Sequence, residues 1–324
     1  MVCENPVMQT VKCGINALEL LFMATERGDT RRAIGAELLE QGKQYAHLMR
    51  LHRPIGIWLL LWPTLWALWI SSDGNPDQRI FIVFVLGVFV MRSAGCVIND
   101  FADRNFDARV SRTQDRPLAT GEVAPGEALV LFTALGLIAI ALVLTLNELT
   151  RLLAIVAAFL TIIYPFTKRF ISAPQLILGA AFGWSIPMVF AAQTGDIPRL
   201  AWLMWLAVVV WAVMYDTMYA MSDRDEDLRI GLKSTAILFG TADLFIVSLL
   251  QIVLLFALIL IGEVAQLGTW YVASLGIAAV LLLYQLILIR RRDPDRCFRA
   301  FLNNHYVGAV VFAGILLDFI FQAP

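Results

Sequence analysis

The chain has 324 residues, 59% of them hydrophobic and only 16% charged, with a formal net charge of −1. Soluble domains carry about 25% charged residues, so this composition, with a mean hydropathy of +0.73, excludes a water-soluble globule and points to a polytopic membrane protein. No basic arm or stripe accompanies the near-zero charge, so no nucleic-acid partner is expected.

The first forty residues mix short apolar stretches with Glu4, Glu19, Glu26, Arg27, Asp29, Arg31 and Arg32. Glu19 interrupts the apolar run 17–24, which has neither a basic start nor a cleavage-like exit, and acids are too frequent for a transit peptide. Residues 1–40 therefore read as an N-terminal extension and 41–324 as the membrane domain. Within 32–50, Ile34, Leu38, Leu39, Tyr45, Leu48 and Met49 suit an amphipathic helix on the membrane surface, or an ordinary cytosolic lead-in.

Nine apolar runs long enough to cross about 30 Å of hydrocarbon follow. They cover 55–71, 80–98, 128–146, 152–166, 175–192, 200–221, 244–261, 270–289 and 306–321. The fold class expected is an all-α integral membrane protein, a bundle of about nine transmembrane helices around a central cavity. With the N-terminus inside, the cytosolic loops hold fourteen Lys and Arg residues against three (Arg79, Arg151 and Arg199) on the other side. The positive-inside rule fixes that orientation. Pro63, Pro165 and Pro187 should kink or break their helices, and Gly56, Gly95, Gly179 and Gly183 allow close helix approach. Cys3, Cys13, Cys96 and Cys297 are scattered and form neither a disulfide frame nor a zinc site. His47, His52 and His305 make no motif.

Two acidic clusters carry the chemistry, both at the cytosolic ends of apolar runs. Asn99, Asp103 and Asp107 recur every fourth residue and share one helix face; Asp216, Tyr219, Asp223 and Asp227, spaced by three, four and four, also share one. Carboxylates crowded against membrane helix ends need a compensating partner. Oxygen ligands on two facing helices suit Mg²⁺, which keeps part of its water shell and bridges to substrate phosphates. A single cluster would read equally well as a solvated loop balanced by arginines; two in equivalent settings favour an intramembrane Mg²⁺–diphosphate site. Arg92 shares the face of Asn99 and should face the interior, meeting an anionic ligand or forming a salt bridge with Asp216. Tyr164 opens the run that ends in Lys168 and Arg169, cations suited to a diphosphate or a carboxylate.

The run Gly95-Cys96-Val97-Ile98-Asn99-Asp100-Phe101-Ala102-Asp103-Arg104-Asn105-Phe106-Asp107 resembles the NDxxDxxxD motif of the UbiA-type membrane prenyltransferases, and Arg112-Thr113 to Arg116-Pro117-Leu118 continues it. Residues 215–227, followed by Gly231-Leu232-Lys233-Ser234-Thr235-Ala236, resemble the family's second motif; Met218, Ser222 and Glu226 depart from its usual residues. Arg53-Pro54-Ile55-Gly56, the run 61–68, the run 179–188 and Phe301-Leu302-Asn303-Asn304-His305 are similar to the 4-hydroxybenzoate polyprenyltransferase branch. The resemblance covers roughly residue 50 to the C-terminus. It implies transfer of a polyprenyl chain from its diphosphate to the ring carbon ortho to the hydroxyl of 4-hydroxybenzoate, in ubiquinone biosynthesis, at the bacterial inner membrane. It implies Mg²⁺ held by Asn99, Asp103, Asp107, Asp223 and Asp227, with Arg169 catalytic and Arg53, Lys168, Tyr164, Tyr219 and Arg92 binding substrate. Membrane lipid and other ubiquinone-biosynthesis enzymes are the expected associates. The rival readings are a superfamily member with another aromatic acceptor and a cation-coupled transporter with acidic gates; the DG–AR spacing of alcohol phosphatidyltransferases is absent.

Overall fold

The computed structural model describes residue 37 and residues 39–107, 113–167 and 169–322, with backbone alone at 105–107, 230 and 322. The chain divides into two units, Met1–His47 and Leu48–Pro324. In the first, the described residues 39–47 are helical, in keeping with the amphipathic pattern read there; the rest of that pattern, before residue 37, lies outside the described residues.

Among the described residues the second unit holds nine long apolar helices: α1 (Ile55–Ile70), α2 (Gln78–Asp107), α3 (Pro125–Val143), α4 (Glu148–Thr167), α5 in two halves (Pro174–Gly183 and Ser185–Thr194), α6 (Arg199–Ile230), α7 (Asp243–Val264), α8 (Thr269–Ile289) and α9 (Pro294–Gln322). Among the described residues, α2 to α9 are each long and apolar enough to cross a membrane, while α1 is an apolar helix of 16 residues. The protein is thus a multi-pass membrane protein, and each apolar run read from the sequence falls on one helix. Val130 on α3, Ile155 and Phe159 on α4, Phe245 on α7 and Val280 on α8 are all more than 60% exposed; large apolar side chains presented in this way face lipid rather than water.

Local chemistry sets the breaks. Asn147 caps α4, its side-chain oxygen accepting from the Thr150 amide at 2.9 Å, while its amide donates to the Ala191 carbonyl at 2.5 Å. That double use fixes the short α3–α4 turn against the second half of α5. Pro63 and Pro165 are accommodated inside α1 and α4, so the expected breaks there are not seen. Pro187 lies in the first turn of the second half of α5, directly after the interruption at Trp184. Lacking an N–H, it cannot bond the Gly183 carbonyl one turn back, so the ladder fails at that point.

Helices α2 and α6 run well past the apolar stretches that end at 98 and 221, continuing through both acidic clusters to Asp107 and Ile230. Hydropathy marks where hydrocarbon ends, but charged residues at helical spacing carry the helix onward. Helix α6 is the core element: Trp211, Met214 and Met218 are fully buried on it. Trp211 stacks on Trp66 of α1 with centroids 5.4 Å apart and donates to the Asn304 side chain of α9 at 3.0 Å, while Trp66 donates to the Gly308 carbonyl at 3.1 Å. These buried indoles therefore keep their polar atoms paired. Gly308 allows the contact, since a Cβ there would lie 2.5 Å from the Trp62 ring.

Asp318, near the end of α9 and 1% exposed, accepts from the amides of Gly268, Trp270 and Tyr271 at 2.7, 3.0 and 3.0 Å. A buried carboxylate thus caps the N-terminus of α8, where three backbone donors and the helix dipole compensate its charge. Asp318→Ala would strand those amides. We expect a stability loss of roughly 2–3 kcal/mol, read as a lower thermal midpoint of the purified protein in detergent.

Candidate functional site

A cavity of about 570 Å³ opens between α1, α2, α3, α4, α5, α6 and α9. Helices α2 and α6 make no extensive contact with each other; the cavity lies between them. Its lining follows α2 from Val83 to Asp100, about 25 Å of helix, and changes character along the way. Near Val83 the wall is made of Phe84, Val88, Leu142, Val143 and Leu146, all apolar. Toward Asp100 it gathers Arg50, Arg53, Asn99 and Arg116, with Arg92, Tyr164, Tyr215, Asp216 and Tyr219 between. The cavity therefore suits a ligand with an anionic head and a long hydrocarbon tail.

Five of the expected site residues, Arg53, Arg92, Asn99, Tyr164 and Tyr219, line this cavity. Arg92 lies with its guanidinium 5.8 Å from the Phe182 ring centre, and Gly56 admits it, because a Cβ there would be 2.1 Å from Nε. Asp216, named above as a possible partner of Arg92, lines the same cavity. Asp103, one turn beyond Asn99 on α2, is 3% exposed and not part of the lining.

Arg169, just beyond α4, donates to the Ala102 carbonyl at 2.6 Å and lies 5.7 Å from the Phe166 ring centre. Its cation is thereby held one residue from Asp103. Asp223 accepts from the Ser222 hydroxyl at 3.2 Å; it and Asp227 are half-buried on the last turns of α6, outside the cavity lining. Lys168 lies outside the described residues, as does the Asp107 side chain.

Among the described residues, no three acids, histidines or cysteines are gathered closely enough to form a preassembled metal cage. The carboxylate and amide groups that line the polar end, Asp216 and Asn99, offer oxygen donors. That fits Mg²⁺, which takes one or two carboxylates plus substrate phosphates rather than an all-protein cage.

The segment after α6 supports this end of the bundle. Gly231 ends the helix at φ 75°, and Ser234 caps the short helix Thr235–Phe239. The Thr235 and Thr217 hydroxyls are 2.7 Å apart, and Lys233 donates to the Phe170 carbonyl at 3.0 Å. The run from Gly231 to Ala236 thus ties the end of α6 to the loop that carries Arg169.

Several groups at this end escaped the sequence reading. Asp100 is clasped by Arg50 and Arg116. Arg224, inside the second acidic run, pairs with the fully buried Asp243, which also accepts from Arg292 at 2.8 Å. Tyr215 is 2% exposed, and its hydroxyl has no hydrogen-bond partner among the described residues. Arg50 could have been singled out as a charge beside an apolar run; the pairing of Arg224 with Asp243 and Arg292 had no local signal.

The comparisons agree with this geometry. Residues 60–308 match the UbiA prenyltransferase family. The 4-hydroxybenzoate octaprenyltransferase of Aeromonas hydrophila is 56% identical over 281 residues, covering 87% of this chain and 98% of that protein. The protein of the same name from Saccharophagus degradans is 57% identical over 85% of this chain and 92% of its own length. Among solved structures, a UbiA homolog from Aeropyrum pernix superposes with a TM-score of 0.72 at 26% identity, covering 81% of this chain and 97% of that one. A UbiA homolog from Archaeoglobus fulgidus bound to GPP and Mg²⁺ gives 0.64 at 20% identity, covering 84% of this chain and 99% of its own. A family match over most of the chain and relatives alike over nearly their full length lead to one assignment: the chain belongs to the UbiA prenyltransferase family.

Proposed function

We propose that this protein transfers a polyprenyl group, octaprenyl by analogy with its relatives, from polyprenyl diphosphate to the ring carbon ortho to the hydroxyl of 4-hydroxybenzoate, releasing diphosphate, in ubiquinone biosynthesis. The observation that carries this reading is the graded cavity, cationic at one end and apolar at the other, in a chain 56% identical to a 4-hydroxybenzoate octaprenyltransferase.

The residues divide the work. Arg50, Arg53 and Arg116 give the diphosphate a cationic entrance, with Arg169 and Lys168 assigned to the same end. Asn99, Asp103, Asp107, Asp223 and Asp227 are the residues that would hold Mg²⁺, which neutralises diphosphate charge as the allylic C–O bond breaks. The apolar wall keeps water from the electron-poor prenyl carbon, which the phenol ring then attacks to form the new C–C bond; the ring proton leaves afterwards. Arg92, with Tyr164 and Tyr219 beside it, is placed to orient the acceptor and compensate its carboxylate. The reading is tested with purified protein, Mg²⁺, octaprenyl diphosphate and a panel of aromatic acids. Prenylated 4-hydroxybenzoate should dominate the products; preferred prenylation of a naphthoate or homogentisate would point to another acceptor, and ion flux into vesicles without any prenyl product would point to a transporter.

The site is assigned to the cytoplasmic face of the bacterial inner membrane, supported by fourteen cations against three in the loops. Both substrates carry anions that cannot cross hydrocarbon cheaply, whereas the tail is as apolar as lipid. Single-cysteine variants at positions 105 and 226 should be labelled by an impermeant thiol reagent only after lysis. Labelling from outside intact cells would reverse the topology.

A further inference from the structure

Asp100 lies inside the first acidic run, yet its surroundings differ from those of a metal ligand. It is 1% exposed, Arg50 Nη2 donates to both its oxygens at 2.8 Å, and Arg116 Nη1 lies 3.0 Å from Oδ1. Three contacts from two guanidinium nitrogens leave that carboxylate little capacity for a further cation, and the two positive charges would repel one. One buried acid thus joins the segment before α1 to the segment after α2. The two arginine side chains stay 25% and 14% exposed, and both line the cavity beside Arg53.

Arg50 and Arg116 flank Asp100, and Arg53 lines the same end of the cavity, a concentration of guanidiniums that matches an oxyanion. Arg92 lies about two helical turns further along α2, where a single cation suits a single carboxylate. Guanidinium forks bind phosphoryl oxygens best when their orientation is fixed in advance. We propose that Asp100 is a positioning residue that holds Arg50 and Arg116 as a preformed fork for the diphosphate of the prenyl donor, and that it does not ligate the divalent cation. This rests on the prenyl-transfer reading for the identity of the donor, though not for the binding of diphosphate.

The test uses the full chain in detergent as wild type, Asp100→Asn, Arg116→Gln and the double variant. Calorimetry with inorganic diphosphate, with and without Mg²⁺, is paired with KM for each substrate, kcat and the Mg²⁺ half-activation concentration. Asp100→Asn should weaken diphosphate binding in Mg²⁺-free buffer and raise the donor KM about tenfold. The acceptor KM and Mg²⁺ half-activation should stay within about twofold, and the double variant should be no worse than Arg116→Gln alone, because the two act as one unit. A shifted Mg²⁺ requirement with unchanged Mg²⁺-free diphosphate binding would make Asp100 a metal ligand and overturn the proposal; so would a raised acceptor KM in place of a raised donor KM, or additive losses in the double variant. If Asp100→Asn does not fold, Arg50→Gln and Arg116→Gln carry the test, and unchanged diphosphate binding in both refutes the fork. A wild type that binds diphosphate through this fork but prenylates nothing would refute the functional reading alone; one that prenylates 4-hydroxybenzoate while Asp100→Asn binds diphosphate normally would refute this proposal alone.

Discussion

Purified Asp103→Ala and Asp223→Ala should each lose about 10²–10³-fold or more in turnover while still inserting and retaining the wild-type thermal midpoint. The estimate follows from removing one charged group from a water-poor site where leaving-group charge must be neutralised. Asp103 is 3% exposed and one residue from the carbonyl that anchors Arg169. Its loss would weaken the Mg²⁺ site proposed for this residue. Asp223 is half-buried and hydrogen-bonded to Ser222, so its removal should perturb the fold little. Turnover with saturating Mg²⁺ and both substrates, measured beside a folding control, checks the expectation. Near-normal turnover in both variants would remove these aspartates from the chemistry.

The largest stability effect is expected at Asp243, outside the cavity. This carboxylate is fully buried at the start of α7 and is shared by Arg224 from α6 and Arg292 from the α8–α9 connection. Arg224 also donates to the Ala236 carbonyl at 2.8 Å, and Arg292 to the Thr241 carbonyl at 3.0 Å. Replacing Asp243 by alanine removes the carboxylate shared by two guanidiniums; because the Arg292 side chain is 38% exposed, the cost should fall below the roughly 3–5 kcal/mol of a fully buried pair. The variant should accumulate poorly and melt well below wild type. Because α6 carries Asp223 and Asp227 on the turns flanking Arg224, the surviving fraction should also show a reduced kcat. A variant as stable as wild type would show the junction to be more solvated than its burial indicates.

The helical membrane architecture was legible because hydrocarbon imposes a simple rule: about twenty apolar residues per crossing. The acidic faces were legible for a similar reason, since i, i+4 spacing survives wherever a helix does. Helix ends were less so. Nothing in hydropathy distinguishes a loop after residue 98 from a helix continuing to Asp107, because the signal reports the solvent and not the backbone. Proline was misleading for a related reason: Pro63 and Pro165 remain inside continuous helices, where neighbouring groups absorb the lost bond. The Arg50–Asp100–Arg116 clasp and the Asp243 junction join residues sixteen to fifty positions apart, and no periodicity encodes such a pairing. Arg92 was correctly placed in the interior, but its contacts, an aromatic face and a glycine gap, depend on how three helices meet.

The unbroken passage of α2 and α6 from membrane span to acidic tip has a mechanical consequence. At 30 and 32 residues, these helices are about 45–48 Å long, half as long again as the hydrocarbon is thick. Bilayer thickness is accommodated by helix tilt, and no hinge separates the tilted part from the carboxylates beyond it. A change in the tilt of either helix would therefore be carried undivided to the carboxylates at its tip.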